Sequence, residues 1–165
     1  MNLKFSSRFG IFLSLFLISP LSQKVKATIL EKMDLEKLTN NANLVVIGTV
    51  SEIRYDWDEQ WKLIFTYVTL EIENCAKGDS QIKRIEIMYP GGILGSKRLY
   101  VDGTPEFSVG EKVIVFLEPE IKNKFRVVGW HQGKMKIVND EVEDSGKSIS
   151  EFMNEIKVII DKQQK

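Results

Sequence analysis

From Leu44 onward the apolar residues keep a period of two, and that period decides which class of fold is open to this chain. Between Leu63 and Glu73, Val68, Leu70 and Ile72 alternate with Tyr67, Thr69, Glu71 and Glu73. Side chains that alternate face opposite sides of a strand, so one side is buried and the other wetted. Leu44–Tyr55 is rich in β-branched residues and predicts another strand, with Gly48 as a bend or bulge. Gln81–Tyr89 places Ile85, Ile87 and Tyr89 on one face, and Glu111–Glu118 is an almost continuous apolar run that predicts the most buried strand. A structureless Gly- and Pro-rich stretch from 90 to 110 is unusual inside a compact domain, so a short strand is expected there at Arg98–Val101. Lys124–Trp130 and Lys134–Asn139 predict a hairpin around His131-Gln132-Gly133.

The helical period is confined to the two ends. Thr28–Ala42 carries Leu35, Leu38 and Ala42 on one stripe, with Thr28 and Glu31, or Asp34 alone, as the cap. Ser148-Ile149-Ser150-Glu151 is a capping box, and behind it Ile149, Phe152, Met153, Ile156 and Ile160 share a face. The pattern is mainly β: about six strands in meander order, a short N-terminal helix and a C-terminal helix. No strand reads as built to be an edge, which favours a small closed antiparallel barrel. A β-sandwich satisfies the same signals. A chain of 165 residues fits one such domain, spanning 28–162.

Ahead of that domain, Met1–Ala27 reads as a signal peptide. Lys4 and Arg8 form its basic start, Phe9–Ile18 its apolar run, and Val25-Lys26-Ala27 its cleavage pattern. The run is shorter than the ~20 apolar residues that span a bilayer, so no membrane span is expected in the mature form. The expected location is outside the cytoplasm: periplasm, cell surface or medium. Lysine plus arginine and aspartate plus glutamate each count 23; removing residues 1–27 takes away Lys4, Arg8, Lys24 and Lys26 and no acid, which leaves 19 basic against 23 acidic residues, a net of −4. A mildly acidic chain without a basic run does not predict a nucleic-acid partner.

Several segments resemble a known group. They are Val45-Val46-Ile47-Gly48-Thr49-Val50, Trp57 and Trp61, Ala76-Lys77-Gly78, Pro90-Gly91-Gly92, Gly110-Glu111-Lys112-Val113 and Gln132-Gly133-Lys134. Together they resemble small exported bacterial proteins of uncharacterised function. More distantly, the V-x-G-x-V strand, the strand ending in Lys-Gly and the Gly-Glu-x-hydrophobic-x-Phe-Leu run are similar to netrin-like modules, which include the tissue inhibitors of metalloproteinases. The resemblance implies an OB-type barrel. It does not carry the inhibitory mechanism, which uses a leading cysteine: the predicted mature start here is Thr28-Ile29-Leu30, and Cys75 lies mid-chain.

The reactive side chains are few. One histidine and one cysteine exclude an internal disulfide framework and a Cys/His zinc cluster. No G-x-S-x-G elbow accompanies His131, which reads as a turn residue. Cys75 lacks an adjacent base; a monomer is expected, and a Cys75-linked dimer is the functional reading left to the thiol. Asp56, Asp58 and Glu59 lack the glycine and distant glutamate of a calcium loop and read as a solvated turn, as do Glu141, Glu143 and Asp144. Gly91-Gly92-Ile93-Leu94-Gly95-Ser96-Lys97 has Ser96 where a phosphate loop needs glycine. No metal or cofactor is expected.

What remains is aromatic. Trp57 and Trp61 flank one turn, and two large rings there either bind something or fold back over the end of the barrel. Counting strand directions puts that turn at the same end as Gly91, Gly92, Ile93 and Leu94 and the Pro119–Asn123 connection, with His131–Gly133 at the other. The expected function is a non-enzymatic exported module whose rim, at Trp57, Trp61 and Gly91–Leu94, binds a protein or other extracytoplasmic ligand. A hydrolase using carboxylates such as Asp56, Asp58 or Asp102, or a structural envelope component, is the alternative.

Overall fold

A computed structural model describes residues 31–163 of the chain. The proposed signal peptide and the Thr28 cap lie outside them. Two helices and ten strands follow in the order α1 (Leu35–Asn41), β1 (Leu44–Asp58), β2 (Leu63–Lys77), β3 (Arg84–Pro90), β4 (Gly92–Leu94), β5 (Lys97–Leu99), β6 (Lys112–Pro119), β7 (Phe125–Val127), β8 (Lys134–Val138), β9 (Glu141–Val142), β10 (Lys147–Ser148) and α2 (Ile149–Gln163). The fold is mainly β. Ten strands stand where about six were expected; β4, β9 and β10, of two or three residues each, had no expected counterpart, and the strand expected at Arg98–Val101 lies at Lys97–Leu99 as β5.

Five strands close on themselves. β1 pairs with β2, β2 with β3, β7 with β6, and β6 returns to β1, all antiparallel. The ring is completed by one parallel rung between β3 and β7, at Ile87 and Phe125. Near Gly48 the β1–β2 register shifts, and a Cβ there would stand 2.7 Å from the Glu71 carbonyl oxygen. The glycine is thus required by a close backbone approach.

The outer edge of β6 carries β8 beside Val113–Val115 and β7 beside Leu117–Pro119. Both run antiparallel to β6, so they follow one another along a single edge. The expected hairpin at His131–Gly133 is therefore a kink, a 3-10 turn over Trp130–Gly133. Gly129 and Trp130 both adopt left-handed backbone, with φ of 65° and 61°.

Inside the ring lie Leu44, Val46, Val50, Val68, Leu70, Ile85, Ile87, Val113, Val115, Leu117 and Val127. A second core lies outside it: Val45, Ile47, Ile114 and Phe116 project outward and are covered by Leu38 of α1, by Phe152, Met153 and Ile156 of α2, and by Ile137 and Val142. The start of β1, Leu44–Ile47, and the middle of β6, Val113–Leu117, are thus buried on both faces, which is why those stretches are unbroken apolar runs. Asp34 caps α1 by accepting the Lys37 N–H at 2.8 Å. The capping box of α2 forms as expected: Ser148 N–H donates to the Glu151 carboxylate at 2.9 Å and Glu151 N–H donates to the Ser148 hydroxyl at 3.3 Å. The Ser148 hydroxyl, which donates to the Glu151 carboxylate at 2.7 Å, and the Ser148 N–H hold that carboxyl below its ordinary pKa. No helix among the described residues is long and apolar enough to cross a membrane.

Candidate binding cleft

Among the described residues, neither α1 nor α2 joins the cluster on the outward face of β2 and β3. Phe65, Tyr67 and Met88 form a small third cluster there with Ile121, which comes from the connection between β6 and β7. Next to them opens a cleft of about 600 Å³. Its floor is Leu63, Phe65, Met88 and Pro90; Trp61 and Trp130 stand on its walls, and Glu118, Glu120 and Arg126 supply a polar edge.

Each wall is built by local chemistry. The β1–β2 turn begins at Asp58, a buried acid whose Oδ1 accepts the N–H groups of Gln60 at 2.9 Å and Trp61 at 3.0 Å. This fixes the turn and leaves the Trp61 ring 52% exposed. The other tryptophan of the cleft, Trp130, is 40% exposed. A positive φ is costly for a bulky residue, so the backbone there stores strain while holding an apolar ring out in water.

The β6–β7 connection is tied down by charge. Lys124 meets the Glu86 carboxylate, which also accepts from Arg54 Nη2 at 2.7 Å. Both cations lie over the Tyr67 ring, Arg54 at 4.0 Å and Lys124 at 5.0 Å. Burial pushes the Tyr67 hydroxyl up and the Lys124 ammonium down. At the polar edge, Arg126 Nε lies 2.9 Å from Glu118 and 3.6 Å from Glu120. Tyr89 stacks on Phe107 at 6.2 Å between centroids, and burial pushes its hydroxyl up to about 12.

Of the residues expected to bind ligand, Trp61 lines this cleft; Trp57, Gly91, Gly92, Ile93 and Leu94 do not. They lie near the same end. Lys97, opposite Leu94 in the β4–β5 register, has its ammonium 5.5 Å from the centre of the Trp57 ring. A Cβ on Gly92 would stand 2.4 Å from the Tyr55 ring, and Gly91 N–H donates to the Ile64 carbonyl at 2.8 Å. The two glycines, with φ of 115° and 128°, fold β4 onto β1 and β2. Ile121 brings the Pro119–Asn123 connection to the cleft, as the strand count requires.

The expectation fails on the far side of the count. The 130–133 segment is not at the opposite end, because without a hairpin there the chain continues along β6 and delivers Trp130 to the cleft. Trp130 is the residue that sequence reasoning missed; its signal was a third tryptophan directly after a glycine.

The other candidates have partners of their own. His131 N–H donates to the Gly103 carbonyl at 3.0 Å, and its exposed ring lies 3.3 Å from the same oxygen. Asp56 accepts its neighbour Trp57 N–H, and Glu59 pairs with Lys62. Asp102, Glu141, Glu143 and Asp144 are exposed. Among the described residues, no three His, Cys, Asp or Glu side chains gather in a metal-ligating group. Cys75 is half-buried, donates to the Lys77 carbonyl at 3.2 Å, and has its thiol pKa pushed up by burial. A less ionised, partly covered thiol gives a Cys75-linked dimer no support.

No protein-family model matches this chain, and no curated protein matches it significantly.

Proposed function

We propose that the chain is an exported binding module, an OB-type barrel that holds an extracytoplasmic ligand, in the first place a segment of another protein, in the cleft between Trp61 and Trp130. The strand order supports the barrel reading. A ring of β1, β2, β3, β7 and β6 with a parallel β3–β7 contact is the order a five-stranded Greek-key barrel requires. It also agrees with the netrin-like resemblance.

The observation that carries the binding reading is the pair of exposed tryptophans, Trp61 and Trp130, that line one cleft. Trp61 and Trp130 come from connections 69 residues apart, and each is held out by fixed backbone over an apolar floor. Large rings fixed in this way lose little entropy on binding, and a ligand that covers them gains their burial. The Glu118–Arg126–Glu120 edge supplies oriented polar groups beside the apolar floor.

A photoreactive phenylalanine analogue at Leu63, on the cleft floor, tests the reading against the same group at exposed Asp79. In the native extracytoplasmic fraction, position 63 should give a discrete adduct that Trp61→Ala reduces at least about tenfold. Equal labelling from positions 63 and 79 contradicts the assignment.

A further inference from the structure

The ring closes between β3 and β7 by a single rung, and the residues around it explain why the pairing stops there. Ile72 N–H donates to the Lys83 carbonyl and Gly91 N–H to the Ile64 carbonyl, each at 2.8 Å, so the odd residues from Lys83 to Gly91 bond toward β2. Backbone groups alternate sides along a strand, and those of Glu86, Met88 and Pro90 therefore turn toward β7. Val128 N–H donates to the Phe116 carbonyl at 2.9 Å, so the even residues of this stretch bond toward β6, and Phe125 and Val127 turn toward β3.

In a parallel ladder each residue bonds to the residues before and after its partner. With Phe125 opposite Ile87, it meets the backbone of Glu86 and Met88. The next step would join Val127 to Met88 and to residue 90. Pro90 has no N–H to give, and beyond Val127 the left-handed Gly129 and Trp130 turn the chain aside. The strands part, with the Met88 carbonyl on one side and the N–H and carbonyl of Val127 on the other. None of these three groups has a backbone partner among the described residues. Met88 is 4% and Val127 8% exposed, and unpaired backbone groups on such buried residues are rare.

The cleft opens over this seam. Met88 and Arg126, which look outward, line it, and so do Tyr89 and Val127, which pack toward the interior of the ring. A cleft lined from both faces of a sheet reaches between two of its strands.

We propose that the occupant of the cleft is an extended segment of another polypeptide, added as a strand along β7 at this seam. The proposal rests on the cleft reading and names its mode. An extended chain presents an N–H and a carbonyl on one side of one residue, which is the pair that Val127 can meet. Its alternate side chains then reach the apolar floor. A helical segment spends its backbone groups internally and would leave Val127 and Met88 unpaired. β3 offers carbonyls alone at Met88 and Pro90, so the added strand takes its ladder from β7.

The test uses decapeptides selected from a random displayed library on the full chain. Three chains are compared: the parent, Trp61→Ala, and a chain in which the α-hydroxy acid analogue of valine stands at position 127. That analogue keeps the side chain and removes the N–H. Binding should weaken at least about tenfold in Trp61→Ala and about fivefold in the ester chain, the size of one lost hydrogen bond. In the parent, which needs no substitution, Val127 amide exchange should slow on peptide binding, with backbone proton contacts between Val127 and the peptide. A peptide held by the apolar run Phe9–Ile18 is indifferent to the Val127 N–H, so that run does not imitate the result. Peptides that need Trp61 but bind the ester chain as tightly as the parent overturn strand addition and leave the cleft reading standing. Peptides indifferent to both changes overturn the two together. Val127 exchange already slow without peptide also overturns the proposal: protection that rises with protein concentration means a second copy fills the seam, and constant protection a segment of the same chain.

Discussion

The two sides of the ring are built from strands of the same kind and end differently. On β1 and β6 the outward residues Val45, Ile47, Ile114 and Phe116 are sealed under α1 and α2. On β2 and β3 the outward residues Phe65, Tyr67 and Met88, among the described residues, pack with Ile121 and under two cations and with neither helix, beside the open cleft. Covered apolar residues are explained by the stability they bring. Uncovered ones, Leu63 at 38% exposed and the two cleft tryptophans, are not. The binding proposal rests on this difference: it is placed where packing stops explaining the sequence.

The covered side should give the largest response to mutation. Phe152 is 5% exposed between α2 and the outer face of the sheet, so Phe152→Ala should cost about 3–5 kcal/mol in denaturant unfolding. A loss under about 1 kcal/mol would mean that α2 does not seal that side.

The joint between the two sides comes next. A Cβ on Gly133 would stand 2.2 Å from the Val128 carbonyl oxygen, which is backbone and cannot swing away. Gly133→Ala should therefore cost about 1–3 kcal/mol and lower the thermal midpoint. An unchanged midpoint would refute the kink that carries the chain from β7 to β8.

On the open side, Glu86→Gln removes the charge that ties Lys124 and Arg54 together. It should cost only about 1 kcal/mol, because the cluster is partly solvated. Its sharper signature is faster amide exchange over Ile121–Lys124, with the rest of the sheet unchanged.

The smallest effect is one of pH. Hydrogen bonds from Lys112 and Thr49 hold the Glu73 carboxyl below its ordinary pKa. A lowered folded-state pKa contributes stability that is complete above the unfolded value and is lost as pH falls through the folded one. Glu73→Gln should flatten that acid limb by less than about 1 kcal/mol, since Glu73 is exposed and its pair is screened. A steeper acid limb in the variant would reverse the sign of this contact.

The covered side was the legible one. The runs Leu44–Ile47 and Val113–Leu117, the Ser148–Glu151 box and the Phe152–Ile156 face are local patterns, and each lies where its periodicity requires. The open side was legible only in part. Trp57 and Trp61 were visible as aromatics at one end, but Trp57 lies on β1 and Trp61, four residues on, in the β1–β2 turn, which sends Trp61 to the cleft and leaves Trp57 beside the hairpin. Trp130 was hidden because β7 and β8 lie end to end on β6, a pairing that no local signal distinguishes from a hairpin. The short strands β9 and β10 depend on pairing with each other and with β8 rather than on any run of their own.

The central claim is that the uncovered apolar residues serve binding and not folding. Trp61→Ala/Trp130→Ala, studied for stability and for ligand capture on the same preparation, tests it most directly. The account predicts an unfolding free energy within about 2 kcal/mol of the parent, because Trp61 is 52% and Trp130 40% exposed and only part of each ring's burial is lost, together with loss of the adduct formed at position 63. A double variant that unfolds several kcal/mol more easily, or that keeps the adduct at full yield, contradicts it.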